Sequence, residues 1–309
     1  MIVTLTLNPA IDRILGVDRL AFEDRAYINS ARESAGGRGI NSSVVIHSFG
    51  GETLAVLPSG GDSGKRLEGH LKEFGFPVCL APIHNEIRTN LSITDRHGLT
   101  VHLNEKGPEL RESEVRLIER SVRTAIEKAS WLLVCGSIPP GVPPSFYGKL
   151  IDMARKKNVK TLLHADGEPL RQGIEEHPTV VTPNQQEAER LLGRTLLTRT
   201  HYLEAAERIR SMGAESVALS LGSRGAVGAY ADGLIEALPP RVDALCPIGA
   251  GDAMAAAYTW ALDQKDDSGD ALRWGVAAGT ASARLAGMNF ASLAQTRDMY
   301  RQVEIRRVE

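Results

Sequence analysis

Gly249, Ala250, Gly251 and Asp252 stand in succession, preceded by Ile248 and followed by the small-residue run Ala253-Met254-Ala255-Ala256-Ala257. A glycine-rich turn that opens a helix leaves backbone N–H groups free, and the helix dipole adds positive potential there. Such a place can hold an anion. A carboxylate directly after it can take the proton of a hydroxyl that attacks the anion. An anion cradle and a proton acceptor are the minimal equipment for phosphoryl transfer to an alcohol. By themselves the same residues also describe a helix that starts Gly-Asp, with Asp252 as a cap or first-turn residue. The rest of the chain decides between the two.

Other segments place polar groups in loops. Asn8-Pro9-Ala10-Ile11-Asp12 ends the first apolar run with a carboxylate in a turn. Gly36-Gly37-Arg38-Gly39-Ile40-Asn41 opens a helix and offers backbone donors, a guanidinium and an amide together. Arg88-Thr89-Asn90 lies on a strand, and Gly136-Ser137 follows a buried one. Thr182-Pro183-Asn184-Gln185-Gln186-Glu187 joins a strand to a helix, and Ser220-Leu221-Gly222-Ser223-Arg224-Gly225 follows another strand. Loops after parallel strands are where such sheets bind ligands. Two other patterns fail. Gly60–Arg66 lacks the first glycine of a phosphate loop and has Arg66 where Ser or Thr is required. The Gly249–Gly251 turn has Met254 at the last position of a dinucleotide fingerprint and lies far from the first strand.

The elements that must position these residues alternate from about residue 113 onward. Ser113 is placed to cap a helix whose apolar stripe is Val115, Ile118, Val122, Ala125, Ile126 and Ala129. Buried strands are expected over 131–135, 161–164, 179–182 and 217–221. Helices are expected over about 145–157, 184–193, 200–212, 251–264 and 269–286. Continuous apolar strands separated by helices indicate a mostly parallel sheet covered on both faces. The first third differs: 14–17, 26–30, 87–94 and 99–104 alternate apolar with polar residues, as half-exposed antiparallel strands do. The expectation is one α/β domain over 1–309, with a small β-sheet appendage whose strands fall at about 12–32 and 86–105.

Composition narrows the function. Hydrophobic residues make up 42% of the 309 and charged ones 24%, as in an ordinary globular protein. The net charge of −2 speaks against non-specific nucleic-acid binding. No apolar stretch approaches the roughly 18 residues of a membrane span, and the N-terminus reads as a strand rather than a signal peptide. Cys79, Cys135 and Cys246 lack metal-ligand spacing and are expected to be reduced, buried thiols of a cytoplasmic protein. The histidines do not cluster.

In this order and at these separations, the segments resemble the phosphofructokinase-B branch of the ribokinase-like carbohydrate kinases, most of all the 1-phosphofructokinase and tagatose-6-phosphate kinase group. The resemblance covers essentially the whole chain. It implies a ribokinase-like fold, ATP as phosphoryl donor, Mg²⁺, and a β-sheet lid that often also makes a homodimer. It implies Asp252 as the base, with Gly249, Ala250 and Gly251 cradling the transferring group. Asp12 and Asn41 would bind sugar hydroxyls beside the backbone of Gly36 and Gly37. Arg38 and Arg88, together with Ser137 and Arg25, would hold a phosphate already on the sugar. Asn184 and Glu187 would organise magnesium through water, and Ser220, Gly222 and Gly225 would border the nucleotide.

The implied reaction is phosphorylation of fructose 1-phosphate to fructose 1,6-bisphosphate, with tagatose 6-phosphate or fructose 6-phosphate next. The chain departs from the family's usual residues in several places. Arg38 replaces a common Lys, Thr182 stands where Lys often precedes Pro-Asn, and His164-Ala165-Asp166-Gly167 replaces an Asp-Thr/Ser-Ser-Gly loop. Pro247 replaces Thr or Ser, and Lys106 a usual Pro. These departures motivate one reading of another class, a sugar-phosphate-binding protein with little turnover.

Overall fold

In the computed structural model, which describes residues 1–20 and 23–308, the continuous apolar runs form the middle of one large sheet and the alternating runs form a second, small one. The first part of the chain gives β1 (Ile2–Thr6), β2 (Ala10–Val17), β3 (Ile28–Gly36), α1 (Arg38–Ser48), β4 (Thr53–Ser59), α2 (Gly61–Phe74), β5 (Val78–Pro82), β6 (Arg88–Asp95) and β7 (Thr100–Asn104). It continues with α3 (Glu112–Ala125), β8 (Trp131–Cys135), α4 (Phe146–Arg155), β9 (Lys160–His164), α5 (Gly167–Ile174), β10 (Val180–Val181), α6 (Gln185–Leu192), α7 (Arg199–Ser211) and β11 (Ser216–Ser220). The hairpin β12 (Ala226–Tyr230) and β13 (Gly233–Leu238) precedes α8 (Ala250–Asp263), α9 (Ser268–Ala283), α10 (Leu293–Tyr300) and β14 (Glu304–Val308).

The large sheet has the order β14-β13-β12-β11-β10-β9-β8-β1-β4-β5. From β5 across to β11 every neighbouring pair is parallel, and β12 to β14 add an antiparallel edge. Every residue of β1 and β8 is buried. Their side chains alternate between two apolar layers: Leu132 and Val134 join Leu67, Ile118 and Leu150 on one side, while Trp131 and Leu133 join Ile46, Tyr258 and Leu272 on the other. Period-two alternation in a fully apolar strand is what a sheet covered on both faces requires.

Small residues set the position of α8. An added Cβ at Gly279 would lie 2.9 Å from the carbonyl oxygen of Ala250, and one at Gly275 3.0 Å from that of Met254. The two helices therefore meet backbone to backbone, which seats the start of α8 firmly against α9.

The small sheet has the order β3-β2-β6-β7, with β2 antiparallel to β3 and parallel to β6. Its third-strand register differs from the expectation over 26–30: β3 runs over Ile28–Gly36, because Ala10 to Val17 offer a full ladder along that stretch. Helix α3 begins one residue before Ser113, and Glu114 closes its start, its Oε2 accepting from the Arg111 N–H at 2.7 Å. Of the cysteines only Cys135 is buried; Cys79 and Cys246 are half-buried, and all are free thiols. No helix of the described residues is long and apolar enough to cross a membrane.

Candidate active site

The order of connection divides at β1: the next strands of the large sheet, β4 and β5, lie on one side of it and β8 to β11 on the other. Open α/β sheets bind ligands at the carboxyl ends of their strands at such a switch point. A cavity of about 420 Å³ lies there, between the large sheet and the small one. The loops after β1 and β8 supply Asn8, Gly136 and Ser137, the start of α1 supplies Gly37, Arg38 and Asn41, and the turn before α8 supplies Gly249 and Asp252. One face of the small sheet closes it with Asp12, Arg88, Asn90, Ser92, His102 and Asn104.

Asp252, 8% exposed, sits in the first turn of α8. Asn41 Nδ2 donates to its Oδ2 at 2.7 Å, and His164 Nε2 lies 3.2 Å from its Oδ1. Gly249 caps the helix in the left-handed region at φ 79°. Among the described residues, no acceptor takes the N–H groups of Gly251 and Asp252. These are the orphan donors of a helix start, in a turn whose Gly249 and Asp252 line the cavity.

At the opposite wall, Asp12 Oδ1 accepts from Asn90 Nδ2 at 2.8 Å. An added Cβ at Gly36 would lie 2.0 Å from Asp12 Oδ2, so the carboxylate rests against the Gly36 backbone. Burial pushes the Asp12 carboxyl above its ordinary range, with Asp252 adding to the rise, against the hydrogen bond of Asn90 and the charge of Arg88. Arg88 spans the rim, donating to the carbonyls of Glu105 and Asn8, each at 3.0 Å. Asn8 in turn donates to Ser137 Oγ at 3.1 Å and to the carbonyl of Lys106 at 3.0 Å.

Glu187 and Asn184 form a capping box at the start of α6: Asn184 Oδ1 accepts from the Glu187 N–H, and Glu187 Oε2 from the Asn184 N–H, each at 2.9 Å. The Asn-x-x-Glu spacing thus shapes a helix start. The other carboxylate oxygen of Glu187 receives Arg38 Nη2 at 2.8 Å. Burial works against the Arg38 charge, but Glu187 and Asp252 more than offset it and hold its pKa above the ordinary value.

Among the described residues, the buried side-chain polar atoms without a partner include Asn8 Oδ1, Arg38 Nη1, Arg88 Nε and Asn90 Oδ1. All belong to residues that line this one cavity. Buried polar groups are otherwise nearly always hydrogen-bonded. Their convergence here fits a polar, anionic ligand.

The structure brings Asp12, Gly37, Arg38, Asn41, Arg88, Ser137, Gly249 and Asp252 to the cavity, with Gly36 directly behind Asp12. Asn184 and Ser220 form a bridge at the carboxyl ends of β10 and β11, beside the cavity rather than on it. Gly222 and Gly225, both at positive φ, follow β11 and do not line the cavity. Arg25 is exposed and does not line the cavity. Asn90 and His164 were not singled out from the sequence as site residues. Asn90 was legible through its spacing, since it lies two positions after Arg88 and so on the same strand face.

No group of three or more His, Cys, Asp or Glu that could hold a metal gathers among the described residues. A protein-only metal cage is therefore not what these residues build. Magnesium, however, is commonly held by one or two carboxylates together with waters and substrate phosphates. Glu187, buried and with lone pairs beyond its two hydrogen bonds, fits that requirement.

Residues 5–295 match the pfkB family of carbohydrate kinases. The chain belongs to that family. It is 32% identical over 302 residues to the ATP-dependent 6-phosphofructokinase isozyme 2 of Escherichia coli, covering 97% of each chain. It is 23% identical over 304 residues to the 1-phosphofructokinase of Vibrio cholerae, covering 98% of this chain and 96% of that one. The crystal structure of Escherichia coli phosphofructokinase-2 in complex with fructose-6-phosphate superposes with a TM-score of 0.89 at 31% identity, over 97% of this chain and 98% of the other. The ribokinase-like fold, a carbohydrate kinase activity and ATP as the co-substrate follow from that membership.

Proposed function

We propose that this pfkB kinase transfers the γ-phosphoryl group of ATP to a hydroxyl of a fructose phosphate, with fructose 6-phosphate ahead of fructose 1-phosphate. The order departs from the expectation drawn from sequence motifs. The 32% identity to the 6-phosphofructokinase, against 23% and 28% to two 1-phosphofructokinases, favours it. The observation that carries the reading is Asp252, held by Asn41 at the first turn of α8 and facing a cavity whose far wall holds Asp12 and Arg88.

In this reading the sugar lies between Asp12 and Asn41, and Arg88 and Ser137 hold the phosphate it already carries. Guanidinium suits that task because it binds phosphate in a bidentate manner. Arg38, paired with Glu187, faces the transferring phosphoryl group instead. The turn 249–251 offers its N–H groups to the charge that develops on that group, and Asp252 takes the proton of the attacking hydroxyl. Asn184 and Glu187 would hold magnesium through water, and the ion would supply charge neutralisation on the phosphates. Ser220, Gly222 and Gly225 border the nucleotide.

The small sheet acts as a lid that keeps water from the reacting centre. Its edge strands and the turns beside them expose Tyr27 (72%), Ile28 (57%), Leu99 (57%) and Leu103 (51%), and we assign this apolar surface to contact with a second copy of the chain.

The test is ADP release with ATP and Mg²⁺ across fructose 6-phosphate, fructose 1-phosphate, tagatose 6-phosphate and free fructose, with Asp252→Asn as the control. The expected result is turnover on fructose 6-phosphate that falls at least about a hundredfold in the variant, the scale of a lost general base. Near-native turnover in the variant would overturn the role of Asp252. Sugar-phosphate binding without any turnover would favour a binding protein.

A further inference from the structure

Asn8 lies in the loop after β1, is 3% exposed, and lines the cavity. Its Nδ2 lies 3.0 Å from the Lys106 carbonyl oxygen and 3.1 Å from Ser137 Oγ. A carbonyl oxygen only accepts, so the amide must turn its nitrogen this way; reversed, it would set two acceptors against each other. That nitrogen carries two hydrogens and accepts none. One hydrogen goes to Lys106 and the other to Ser137. Ser137 Oγ is therefore the acceptor in this contact, and its own hydrogen is left over. No acceptor among the described residues takes it.

The rest of Ser137 is fixed from beneath. Tyr147, fully buried on α4, places its hydroxyl 3.1, 3.2 and 3.4 Å from the carbonyl oxygens of Cys135, Gly136 and Ser137. Burial pushes the phenol far above its ordinary range, so it stays a donor to them. Gly136 turns the chain at φ 87°, and its N–H donates to the His164 carbonyl at 2.8 Å. With the backbone pinned, the freedom left to Ser137 is the direction of its hydroxyl. Asn8 sets that direction.

We infer that Asn8 is a positioning residue for the phosphate carried by the sugar: by filling one lone pair of Ser137 Oγ, it leaves the hydroxyl hydrogen to a phosphate oxygen. The inference rests on the reading that Ser137 and Arg88 hold that phosphate, and it names the residue that arranges both. The Asn8 carbonyl accepts from Arg88 Nη2, and the Glu105 carbonyl from Arg88 Nη1, each at 3.0 Å. Arg88 Nε remains buried and without a partner. A phosphate monoester is anionic and rich in acceptors, so it can take a guanidinium N–H and a hydroxyl hydrogen at once.

Asn8 also ties the lid to the large sheet. Glu105 and Lys106 follow β7, so the hydrogen bonds from Arg88 and Asn8 both reach the segment that returns from the lid. Gly107 comes next, at φ 96°, and an added Cβ there would lie 2.2 Å from Asn8 Oδ1. The amide is thus held on its oxygen side by packing and on its nitrogen side by two acceptors.

The test is equilibrium binding of fructose 6-phosphate and fructose 1-phosphate, by calorimetry on the full-length chain without ATP, with binding of ATP and Mg²⁺ measured separately. Asn8→Ala removes the amide. Asn8→Asp keeps its shape but replaces the donor by an acceptor, to which Ser137 would give its hydrogen. Affinity for the sugar phosphate is expected to fall at least about tenfold in Asn8→Ala, the worth of one charge-assisted hydrogen bond. It should fall further in Asn8→Asp, with ATP binding unchanged in both. A residue that merely packs gives the opposite order, because Asp fills the space that Ala vacates. Tighter binding by Asn8→Asp than by Asn8→Ala would therefore overturn the proposal. A second arm decides the matter even where Asn8→Asp does not fold. With Ser137→Ala in place the amide has no hydroxyl to orient, so adding Asn8→Ala should cost little more, and full additivity of the two would overturn the proposal. Binding of a sugar phosphate without its phosphorylation would refute the kinase reading while both arms still decide the role of Asn8. Binding of neither sugar phosphate by the unsubstituted protein would refute the two together.

Discussion

Arg38 Nη2 lies 2.8 Å from Glu187 Oε1, tying the start of α1 to the first turn of α6. Glu187 has a side chain 1% exposed, whereas that of Arg38 is 32% exposed. The carboxylate is therefore the member that cannot turn to water. Replacing Arg38 by Met would leave a buried charge without its counter-ion. Breaking a buried pair this way costs about 3–5 kcal/mol, and the partial exposure of Arg38 puts the expectation at the lower end. Denaturant unfolding should show the loss in Arg38→Met, and Arg38→Met combined with Glu187→Gln should recover much of it. Additive effects of the two changes would mean that the pair does not stabilise the fold.

Asp12 carries a different electrostatic consequence. Its carboxyl is held above its ordinary pKa chiefly by burial. The folded state therefore binds a proton more readily than the unfolded chain, so this group favours folding more as pH falls through the raised value. At neutral pH the charged, desolvated carboxylate opposes folding. Asp12→Asn should raise the melting temperature at neutral pH by a few degrees, and the gain should shrink as the medium is acidified. The same variant should lose at least about tenfold in sugar affinity, the worth of one charge-assisted hydrogen bond. A variant that is less stable at neutral pH would show that the Asn90 hydrogen bond outweighs burial.

The assembly proposed for the small sheet is tested by charge. Ile28 and Leu103 are exposed on its edge strands β3 and β7. A glutamate at either site costs little in an isolated chain but places a charge in a buried interface. Light scattering should find two copies for the unsubstituted protein and one for Ile28→Glu with Leu103→Glu. Equal masses for the two would exclude this surface as the contact.

The large sheet and its parallel order were legible because fully buried strands leave continuous apolar runs such as Trp131–Cys135, and their helices leave a one-face stripe. The antiparallel edge was not. The strand Ala226–Tyr230 has Ala-Val-Gly-Ala around Gly228 and shows no alternation of apolar with polar residues. Helix Gly61–Phe74 was hidden by a start that reads as a loop, since its N-cap Gly60 has no side chain to signal it. The site residues were legible as types, but their partners were not. Glu187 and Arg38 are 149 positions apart, and His164 and Asp252 are 88 apart. No local pattern records a meeting made by the order of strands.

Gly36 shows how closely the sugar end of the cavity is fitted. An added Cβ would lie 2.0 Å from Asp12 Oδ2 and 2.2 Å from Asp12 Cγ, far inside van der Waals contact. The obstacle is the end of a side chain, not backbone, so Gly36→Ala should fold with Asp12 displaced. Its hydrogen bond from Asn90 at 2.8 Å would be lost or lengthened with it. Misplacing a positioning group by about 1 Å can cost on the order of a hundredfold in rate. We therefore expect Gly36→Ala to retain a cooperative unfolding transition and to lose between about tenfold and a hundredfold in kcat/KM for the sugar phosphate, with KM for ATP near its original value. Adding Asp12→Ala to Gly36→Ala should then cost little more, because the carboxylate is already out of place. If the double variant is as impaired as the product of the single effects, Gly36 acts through its own backbone on the sugar and not through Asp12.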